Sequence, residues 1–569
     1  MNRTTVLHRL LCLFVAVSLI SCNTFKQRDK LPPAYRNGLV VTAHPEASAV
    51  GLQVLRDGGN AVDAAVAVQF ALAVVYPNAG NIGGGGFMVY RTADGGFASL
   101  DFREAAPAAA TRDMYLDAEG NPITELSLRG QLAAGVPGVV DGMVKAHERY
   151  GKLKWAALVE PAIRLAQQGF PITAMQAREL NNRKESFKKH NPLGTALVKE
   201  EGEWAEGDTL IQTELAHTLT LIAENGRAGF YEGEVADRIV EEMARGNGII
   251  SHEDLKRYEA KWRQPVSSTY RGLRVVSMPP PSSGGIALIA MLKSVEAFPL
   301  ARWGFQSDST MRVMIEAERR VYADRATHLG DPDFYNVPQQ VLIDSTYNAQ
   351  RMSNMDFSRA SLSSDIHAGS MPVAAEHEET THFSIVDRQG NAVSLTTTIN
   401  GSYGSHVVVA GAGFLLNNEM DDFSVKPGAP NMYGLVGGAA NAIEPGKRML
   451  SSMTPTIIEK DGKLYMVVGT PGGSTIMTSV FQTILNVVDF GMDMQQAVDA
   501  PRFHHQWLPD EVAAEKGAIG AEVRQALTES GYKLVDRSSI GRVDAILVLP
   551  DGGLQGGADP RGDDVAMGY

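Results

Sequence analysis

The chain has 569 residues, of which 44% are hydrophobic and 21% are charged, the usual proportions for a globular protein. This length is enough for a large hydrophobic core, built as two domains or as one large layered unit. The formal net charge of −13 argues against a nucleic-acid partner, because proteins that bind nucleic acids present a basic surface.

The N-terminus has the pattern of an export signal. Arg3 and Arg9 precede an apolar run at 10–20, and the small residue Ser21 follows it. The run is too short to cross a membrane as a helix. We therefore expect residues 1–21 to be a signal peptide.

The residue after this signal predicts a lipid anchor. Leu19-Ile20-Ser21-Cys22 resembles the lipobox of bacterial lipoproteins, in which the cysteine is lipidated and becomes the first residue. We expect Cys22 to carry the lipid, residues 22–37 to form a tether, and the protein to be periplasmic and membrane-anchored. A plain signal peptide with an incidental cysteine is the alternative. In either case at most one of the two cysteines remains, so we expect no intrachain disulfide.

The folded region is predicted to start with a strand at 38–43, a helix at 46–56 and a second helix at 61–75. Asn60 is a typical N-cap, and Asp63 completes a pattern like that of a capping box. The second helix is apolar on nearly all sides, which predicts that it is buried in a large interior.

Four glycines at 83–86 lead into a predicted strand at 87–90, and a turn connects it to a partner strand at 97–102. A phosphate-binding glycine loop would precede a helix instead. We therefore interpret 83–86 as a place where backbones pack closely near a site. Arg103 follows the second strand, and taken alone it indicates only a surface arginine.

Residues 109–343 are predicted to be mainly helical, with helical apolar spacing at 153–168 and 311–326. Prolines mark loops, among them a Pro-, Ser- and Gly-rich run at 279–285. We expect this region to cover one face of a sheet.

The chain changes character at Thr380. Residues 360–379 have no apolar period, whereas from Thr380 onward the sequence alternates as a strand. Cleavage of the bond between Glu379 and Thr380 would leave Thr380 a free α-amine, which has a pKa of about 7.7–8.0. Threonine activated by its own amine is a known nucleophile. The alternative is that Thr380-Thr381 reflects only the β propensity of threonine.

A hairpin is predicted to follow this junction. Thr380, His382 and Ser384 lie on one face of its first strand. A turn centred on Gln389 would place Thr398 opposite Thr380. We predict that Thr398 hydrogen-bonds the hydroxyl or amine of Thr380, and that Asn400 lies on the same face.

Two later stretches predict the walls of a site. Three acids fall within 419–422, which suits a cationic ammonium group, although a solvated acidic turn is the alternative. Farther on, a strand at 464–469, a Gly-rich loop at 471–474 and a helix at 475–488 are predicted. Backbone N–H groups in such a loop suit the oxyanion of a tetrahedral intermediate.

Neither a metal nor an organic cofactor is expected. His377 and His382 are five residues apart, whereas the helical zinc motif has its histidines four apart. His504-His505 has no cysteine or carboxylate at ligand spacing.

Seven ordered segments together resemble the bacterial γ-glutamyltranspeptidases (glutathione hydrolases) of the N-terminal nucleophile hydrolase superfamily. They are Gly-Gly-Asn-Ala-Val-Asp-Ala-Ala (58–65), Ile-Gly-Gly-Gly-Gly-Phe (82–87), Asp-Phe-Arg-Glu (101–104), Thr-Thr-His-Phe-Ser (380–384), Met-Asp-Asp-Phe-Ser (420–424), Ser-Ser-Met-Thr-Pro (451–455) and Gly-Thr-Pro-Gly-Gly-Ser (469–474). The resemblance implies an α+β fold, a four-layer αββα sandwich of two stacked, mainly antiparallel sheets flanked by helices. It also implies a large subunit at 38–379 and a small subunit at 380–569.

The resemblance implies a binding site for an amino-acid head group. Arg103 would bind the substrate's α-carboxylate through a two-pronged guanidinium contact. Ser451 and Ser452 would donate hydrogen bonds to the same carboxylate. Glu419 and Asp422 would hold the α-ammonium group.

The resemblance also implies the reacting groups. Thr380 would be the nucleophile, exposed by autoproteolysis after Glu379. Gly472 and Gly473 would supply the oxyanion donors. Asn400 would assist in binding the ammonium group, and Tyr433 would lid the pocket.

The expected activity is γ-glutamyl transfer without a cofactor. Thr380 would take the γ-glutamyl group of glutathione or another γ-glutamyl compound as an ester, which water, an amino acid or a peptide then resolves. The two fragments would remain together as a heterodimer. One alternative is a β-lactam side-chain acylase of the same family, although Arg103 and Asp422 favour γ-glutamyl substrates. A non-catalytic exported lipoprotein that acts as a binding module is the other alternative.

Overall fold

The computed structural model describes residues 34–368, 380–426 and 439–569. Its strands are, in chain order, β1 Ala34–Tyr35, β2 Leu39–Thr42, β3 Gly85–Arg91, β4 Phe97–Asp101, β5 Phe170–Pro171, β6 Thr209–Leu210, β7 Lys261–Arg263, β8 Val266–Tyr270, β9 Leu273–Ser277, β10 Thr381–Val386, β11 Ala392–Thr398, β12 Thr456–Lys460, β13 Lys463–Gly469, β14 Phe503–His505, β15 Val512–Ala514, β16 Leu534–Asp536, β17 Asp544–Val548, β18 Leu554–Gly557 and β19 Val565–Gly568.

The α-helices span Pro45–Arg56, Ala61–Val75, Thr124–Leu128, Val139–Tyr150, Trp155–Gln168, Ala174–His190, Thr213–Asn225, Ala228–Tyr231, Gly233–Arg245, His252–Arg257, Gly284–Val295, Leu300–Trp303, Asp308–His328, Gln339–Leu342, Ser345–Met352, Thr475–Val488, Met494–Asp499 and Ala521–Glu529. Short 3-10 turns lie at Gln131–Ala133, Glu419–Asp422 and Ala439–Asn441. None of the helices in the described part of the chain has the length and hydropathy of a membrane span.

Two seven-stranded sheets form the centre of the molecule. One has the strand order β19-β2-β10-β11-β3-β4-β7 and the other β1-β18-β17-β13-β12-β9-β8, and neighbouring strands in both sheets run antiparallel. Each sheet combines strands from before and after Thr380. Residues 34–368 and 380–569 therefore share both sheets.

The alternation of side chains along the strands separates three layers of core. In β2, Leu39 and Val41 pack between the two sheets, whereas Val40 faces the helices that cover its own sheet. The second sheet packs its other face on a further set of helices, which includes Asp308–His328 and Thr475–Val488. The predicted four-layer αββα sandwich is thus confirmed.

Polar contacts also connect the stacked sheets. Ser384 Oγ on β10 donates a hydrogen bond to the carbonyl of Asp544 on β17, at 2.9 Å. Ser394 Oγ on β11 donates to the carbonyl of Val468 on β13, at 3.1 Å. These contacts fix how the strand that follows Thr380 lies against the second sheet.

The predicted helix at 61–75 is confirmed in its bounds and in its environment. Asn60 and Asp63 form a reciprocal capping box, and all fifteen residues are buried. The strands predicted at 38–43, 87–90 and 97–102 are also confirmed as β2, β3 and β4, with shifts of one to two residues at their ends.

The prediction for 109–343 is correct in its helical content and wrong in its role. The region contains β7, β8 and β9, which complete the edges of the two sheets. Its helices also cover two faces rather than one, because 139–245 packs on the first sheet and 284–328 packs on the second.

Candidate functional site

Thr380 lies immediately before β10, at the end of the hairpin that β10 forms with β11. Thr381 pairs with Thr397, so the next position along the register places Thr398 opposite Thr380, as predicted. Thr380 is 5% exposed. Within the described residues its Oγ1 has no hydrogen-bond partner. A buried hydroxyl without a partner is costly for the fold. Thr381 shares this property, and Thr380 differs from it in lying opposite Thr398 at the open end of the hairpin.

His382 is a structural residue of the layer between the sheets. Its ring nitrogens lie 2.8 Å from Thr396 Oγ1 and 3.1 Å from Ser384 Oγ. Burial lowers its pKa from 6.5 to about 3, so the ring is neutral near pH 7. A Cβ on Gly469 would lie 2.3 Å from the ring, so β13 can approach β10 this closely only with glycine there.

Asn400 and Thr398 form a fixed corner beside Thr380. Asn400 has a positive φ of 65°, and its backbone N–H donates to Thr398 Oγ1 at 2.8 Å. Its side-chain Nδ2 donates to the carbonyl of Asn418 at 2.9 Å. Among the described residues Asn400 Oδ1 has no donor, which leaves one buried acceptor at this corner.

The glycines at 83–86 allow β3 to pack tightly against this hairpin. A Cβ on Gly84 would lie 2.0 Å from the carbonyl oxygen of Thr398, and one on Gly86 would lie 2.4 Å from that of Thr396. Neither position has room for a side chain. The interpretation of this motif as close backbone packing is confirmed.

Arg103 lies at the centre of a buried cluster of charges. Its Nη1 is 2.5 Å from Glu419 Oε1 and its Nη2 is 2.5 Å from Asp422 Oδ2, and all three side chains are 0% exposed. The guanidinium also donates to the carbonyls of Met449 and Leu450. The structure thus brings together the predicted carboxylate-binding and ammonium-binding residues in direct contact.

The acidic turn at 419–422 is buried, so the alternative of a solvated turn is wrong. Asp421 has a different environment from its neighbours, because its Oδ1 accepts a hydrogen bond from Ser127 at 2.5 Å. The carbonyl of Asp422 accepts one from Asn441 Nδ2 at 2.6 Å. The turn therefore directs two of its three acids to Arg103.

Ser451 and Ser452 follow directly after the carbonyls that Arg103 contacts. Ser451 Oγ accepts a hydrogen bond from Met453 N at 3.1 Å. Ser452 Oγ accepts one from Arg325 Nη2 at 2.8 Å. Both serines are fully buried, and Arg325 is a neighbour that the sequence analysis did not identify.

Gly472 and Gly473 form the turn between β13 and the helix Thr475–Val488. Both have positive φ, 135° and 61°, a conformation that favours glycine. In the described part of the chain neither backbone N–H donates a hydrogen bond, whereas the carbonyl of Gly472 accepts one from Thr475 N. The turn therefore presents two N–H donors, and it comes three residues after Gly469, which packs on His382.

A buried polar network supports this turn from behind. Ser474 Oγ donates to Gln506 Oε1 at 2.8 Å, and the Tyr322 hydroxyl donates to the Ser474 carbonyl. His504 lies between Ser474 and Thr478, and burial lowers its pKa to about 3. The described residues contain no group of three or more His, Cys, Asp or Glu side chains arranged to hold a metal ion.

Three predicted site residues are outside the described residues, so the structure gives no account of them. They are Cys22, Glu379 and Tyr433.

The described residues thus supply a hydroxyl at a strand start, a buried set of opposite charges and two N–H groups that have no acceptor among those residues, which are the components of acyl transfer from an amino-acid side chain. A sequence profile described as Gamma-glutamyltranspeptidase matches residues 47–569. The chain is also 47% identical over 540 residues to the "Glutathione hydrolase proenzyme" of Escherichia coli (strain K12), covering 95% of this chain and 93% of that protein. The chain belongs to the γ-glutamyltranspeptidase family.

Solved structures agree with this assignment to the γ-glutamyltranspeptidase family. The cephalosporin acylase from Bacillus halodurans has a TM-score of 0.84 at 28% identity, covering 96% of this chain and 98% of that one. A chain of Helicobacter pylori gamma-Glutamyltranspeptidase has a TM-score of 0.57 at 43% identity, covering 60% of this chain and 97% of that one. The resemblance inferred from the seven segments is therefore confirmed.

Proposed function

We propose that this member of the γ-glutamyltranspeptidase family is a self-processing γ-glutamyl transferase and glutathione hydrolase in which Thr380 is the nucleophile. The observation that carries the proposal is the place of Thr380 at the start of β10, opposite Thr398, where its buried Oγ1 has no hydrogen-bond partner among the described residues. The 47% identity to a glutathione hydrolase proenzyme over nearly the whole chain supports the substrate class.

Processing would use the same hydroxyl as turnover. Thr380 Oγ1 attacks the carbonyl carbon of Glu379, the C–N bond breaks as the acyl group moves from nitrogen to oxygen, and water hydrolyses the resulting ester. The fragments 22–379 and 380–569 would remain associated, and the mixing of strands from both in each sheet supports this. The H. pylori chain matches 60% of this chain, about the share that residues 38–379 make up.

Cleavage changes the chemistry of Thr380. In the uncleaved chain its nitrogen is an amide and carries no basic lone pair. After cleavage it is an amine with a pKa of about 7.7–8.0, so at neutral pH a usable fraction can accept the hydroxyl proton. Thr380 then attacks the γ-carbonyl of the donor, and Gly472 and Gly473 donate to the oxyanion. The amine departs with a proton and leaves a γ-glutamyl ester, which water or an amino-acid or peptide acceptor resolves.

The charge cluster suits the zwitterionic head of a γ-glutamyl group. The α-carboxylate can exchange for the carboxylates that now contact Arg103, and the α-ammonium can take its place against Glu419 and Asp422. Each charged group in the buried site then keeps a partner of opposite charge, which avoids the large free-energy cost of an isolated buried charge. Asn400 Oδ1, which lacks a donor in the described residues, would accept a hydrogen bond from the ammonium group.

The acylase alternative has one observation in its favour, the TM-score of 0.84 to a cephalosporin acylase. That similarity rests on 28% identity, against 47% to the glutathione hydrolase proenzyme. The pairing of Arg103 with two buried acids further favours a substrate that carries both charges. Export and lipidation at Cys22, and Tyr433 as a lid, stay part of the proposal on the basis of the sequence.

The test compares Thr380→Ala with the matched control Thr381→Ala, each analysed on denaturing gels and with γ-glutamyl p-nitroanilide. Thr381 is also buried, and its Oγ1 is also without a partner in the described residues. Removing this hydroxyl therefore breaks no hydrogen bond to another described residue. We expect Thr380→Ala to remain one band and to release no nitroaniline. We expect Thr381→Ala to split and to turn over. A wild-type protein that stays unprocessed, or a Thr380→Ala variant that still splits, would contradict the proposal.

Glutaryl p-nitroanilide, which lacks the α-ammonium group, separates the two enzymatic alternatives. The proposal predicts a much lower kcat/KM for it than for γ-glutamyl p-nitroanilide. Equal or faster turnover of the glutaryl compound would favour the acylase.

A further inference from the structure

A second buried arginine lies behind the proposed carboxylate site. Arg325, on the helix Asp308–His328, is 2% exposed. Its Nη2 donates to Ser452 Oγ at 2.8 Å, and its Nε donates to Ser283 Oγ at 2.8 Å. It thus contacts one residue of the proposed site and one residue of the Pro-, Ser- and Gly-rich run at 279–285.

That run forms the wall behind Ser451. Ser283 donates to the carbonyl of Ser451 twice, from its N at 2.6 Å and from its Oγ at 2.7 Å. In return, Ser451 N donates to the carbonyl of Pro281 at 3.0 Å, and Ser282 Oγ donates to the carbonyl of Met453 at 2.5 Å. The segment 451–453 is therefore held on both sides of its chain by 279–285.

The hydrogen-bond roles in this arrangement are determined by chemistry. A serine hydroxyl has one proton to donate, and an arginine can only donate. Because Ser283 uses its proton on the carbonyl of Ser451, Arg325 occupies an acceptor position on that oxygen. Arg325 likewise occupies an acceptor position on Ser452 Oγ, so the Ser452 proton must point elsewhere. Within the described residues Ser452 Oγ donates to no other group, so its proton is available to a ligand.

A carboxylate is the ligand that this arrangement suits, because it can only accept. The guanidinium of Arg103 contacts the carbonyl of Leu450, two residues before Ser452. A carboxylate at Arg103 would therefore lie close to the Ser452 hydroxyl, with the positive charge of Arg325 behind it. A hydrogen-bond donor that is itself bonded to a cation is polarised toward its acceptor.

We propose that Arg325 is a positioning residue for the α-carboxylate of the donor substrate, acting through Ser452 and, with Ser283, through the backbone of Ser451. This inference rests on the proposed function. It assigns a role in substrate recognition to a helix and to a loop that contain none of the residues predicted from the sequence.

The test uses two anilides that differ only in the α-carboxylate, γ-glutamyl p-nitroanilide and 4-aminobutyryl p-nitroanilide. For Arg325→Gln we expect KM for the first to rise about tenfold, as loss of a hydrogen bond to a charged group would give, with a smaller change in kcat. We expect kcat/KM for the second to be unchanged, since it has no carboxylate to bind. Arg312→Gln, another buried arginine on the same helix, is the matched control and should leave both substrates unaffected.

A purely structural role for Arg325 would lower turnover of both anilides by the same factor, and that result would overturn the proposal. Combining Arg325→Gln with Ser452→Ala tests the route, because Arg325→Gln should have little further effect once the Ser452 hydroxyl is absent. If the Arg325→Gln variant does not cleave itself, the same assay is carried out on Ser283→Ala. This change removes one contact of Arg325 and keeps the arginine's charge. A change confined to the γ-glutamyl anilide supports the proposal, and an equal change in both anilides overturns it.

If the wild type releases no nitroaniline, the proposed function itself fails, whereas an active wild type with an unaffected variant refutes only the role of Arg325.

Discussion

Replacing Gly472 by alanine tests the proposed oxyanion turn. The φ of Gly472 is 135°, and holding an alanine there costs about 1–3 kcal/mol of strain. The new Cβ would lie 2.6 Å from Thr475 Oγ1 and 3.1 Å from the Cα of Gly541. The Cα of Gly541 is a backbone atom and cannot rotate aside as a side chain can. The turn itself must therefore move, and this shifts its N–H groups away from the position of the oxyanion.

The expected effect is on the chemical step. Loss of one oxyanion donor costs a factor of about 10² to 10³ in kcat. KM should change far less, because the atoms that the new Cβ would meet belong to Thr475 and Gly541 and not to the Arg103 cluster. Steady-state rates with γ-glutamyl p-nitroanilide should be divided by the amount of the 380–569 fragment on a gel, so that a processing defect is not counted as slow turnover.

A double variant shows whether the clash is the cause. Thr475→Ala removes the nearest atom, and alone it deletes one hydrogen bond to the Gly472 carbonyl, with an expected loss in kcat of about threefold or less. Added to Gly472→Ala, it should restore part of the lost rate. If Gly472→Ala keeps full kcat, or if it raises KM and leaves kcat intact, the assignment of this turn is wrong.

Three further predictions concern charge, pH and the support of the turn. Asp422→Asn should raise KM for γ-glutamyl p-nitroanilide about 10- to 100-fold, by loss of a charge-assisted contact. Asp421→Asn should change KM far less, because the Asp421 carboxylate accepts a hydrogen bond from Ser127 instead. Equal effects of the two changes in steady-state kinetics would refute the assignment of Asp422 to the ammonium group. Burial lowers the pKa of His382 from 6.5 to about 3, so below pH 6.5 the unfolded state binds more protons than the folded state. The free energy of unfolding should therefore fall as the pH drops from 6.5 toward 3, by about 1.4 kcal/mol per pH unit for this histidine alone. A Tm that stays constant between pH 6.5 and 4.5 would contradict it. Tyr322→Phe leaves a buried carbonyl without its donor and should lower both Tm and kcat, whereas unchanged kcat in the processed variant would show that this network does not support the turn.

Local patterns predicted the parts of the fold whose determinants are close in sequence. The capping box of Asn60 and Asp63 and the apolar surface of 61–75 were both visible in the sequence, and the structure confirms them. The register that places Thr398 opposite Thr380 followed from a short turn. In each case a few neighbouring residues determine the geometry.

The strands that the sequence did not reveal depend on distant partners. β7 has three residues, two of them charged, and β9 carries Arg274 at its second position. Neither has an apolar pattern that would distinguish it within a helical region. β9 pairs with β12, which places Ser277 next to Thr456, and no local pattern predicts a contact over such a separation.

The candidate site shows the same difference between features determined by neighbouring residues and features determined by distant ones. The resemblance to a family named Arg103, Glu419 and Asp422, but only the structure shows that they contact one another across more than 300 residues. Arg325 had no signal of its own, because it is one of several arginines on a single helix. The run at 279–285 was visible as a loop, and its contact with Ser451 was not.

The most direct measurement is the intact mass of purified protein that releases nitroaniline from γ-glutamyl p-nitroanilide. The account predicts two polypeptides, one that ends at Glu379 and one that runs from Thr380 to Tyr569, with a free amine on Thr380. Active protein with a continuous backbone across residues 379 and 380 would contradict it.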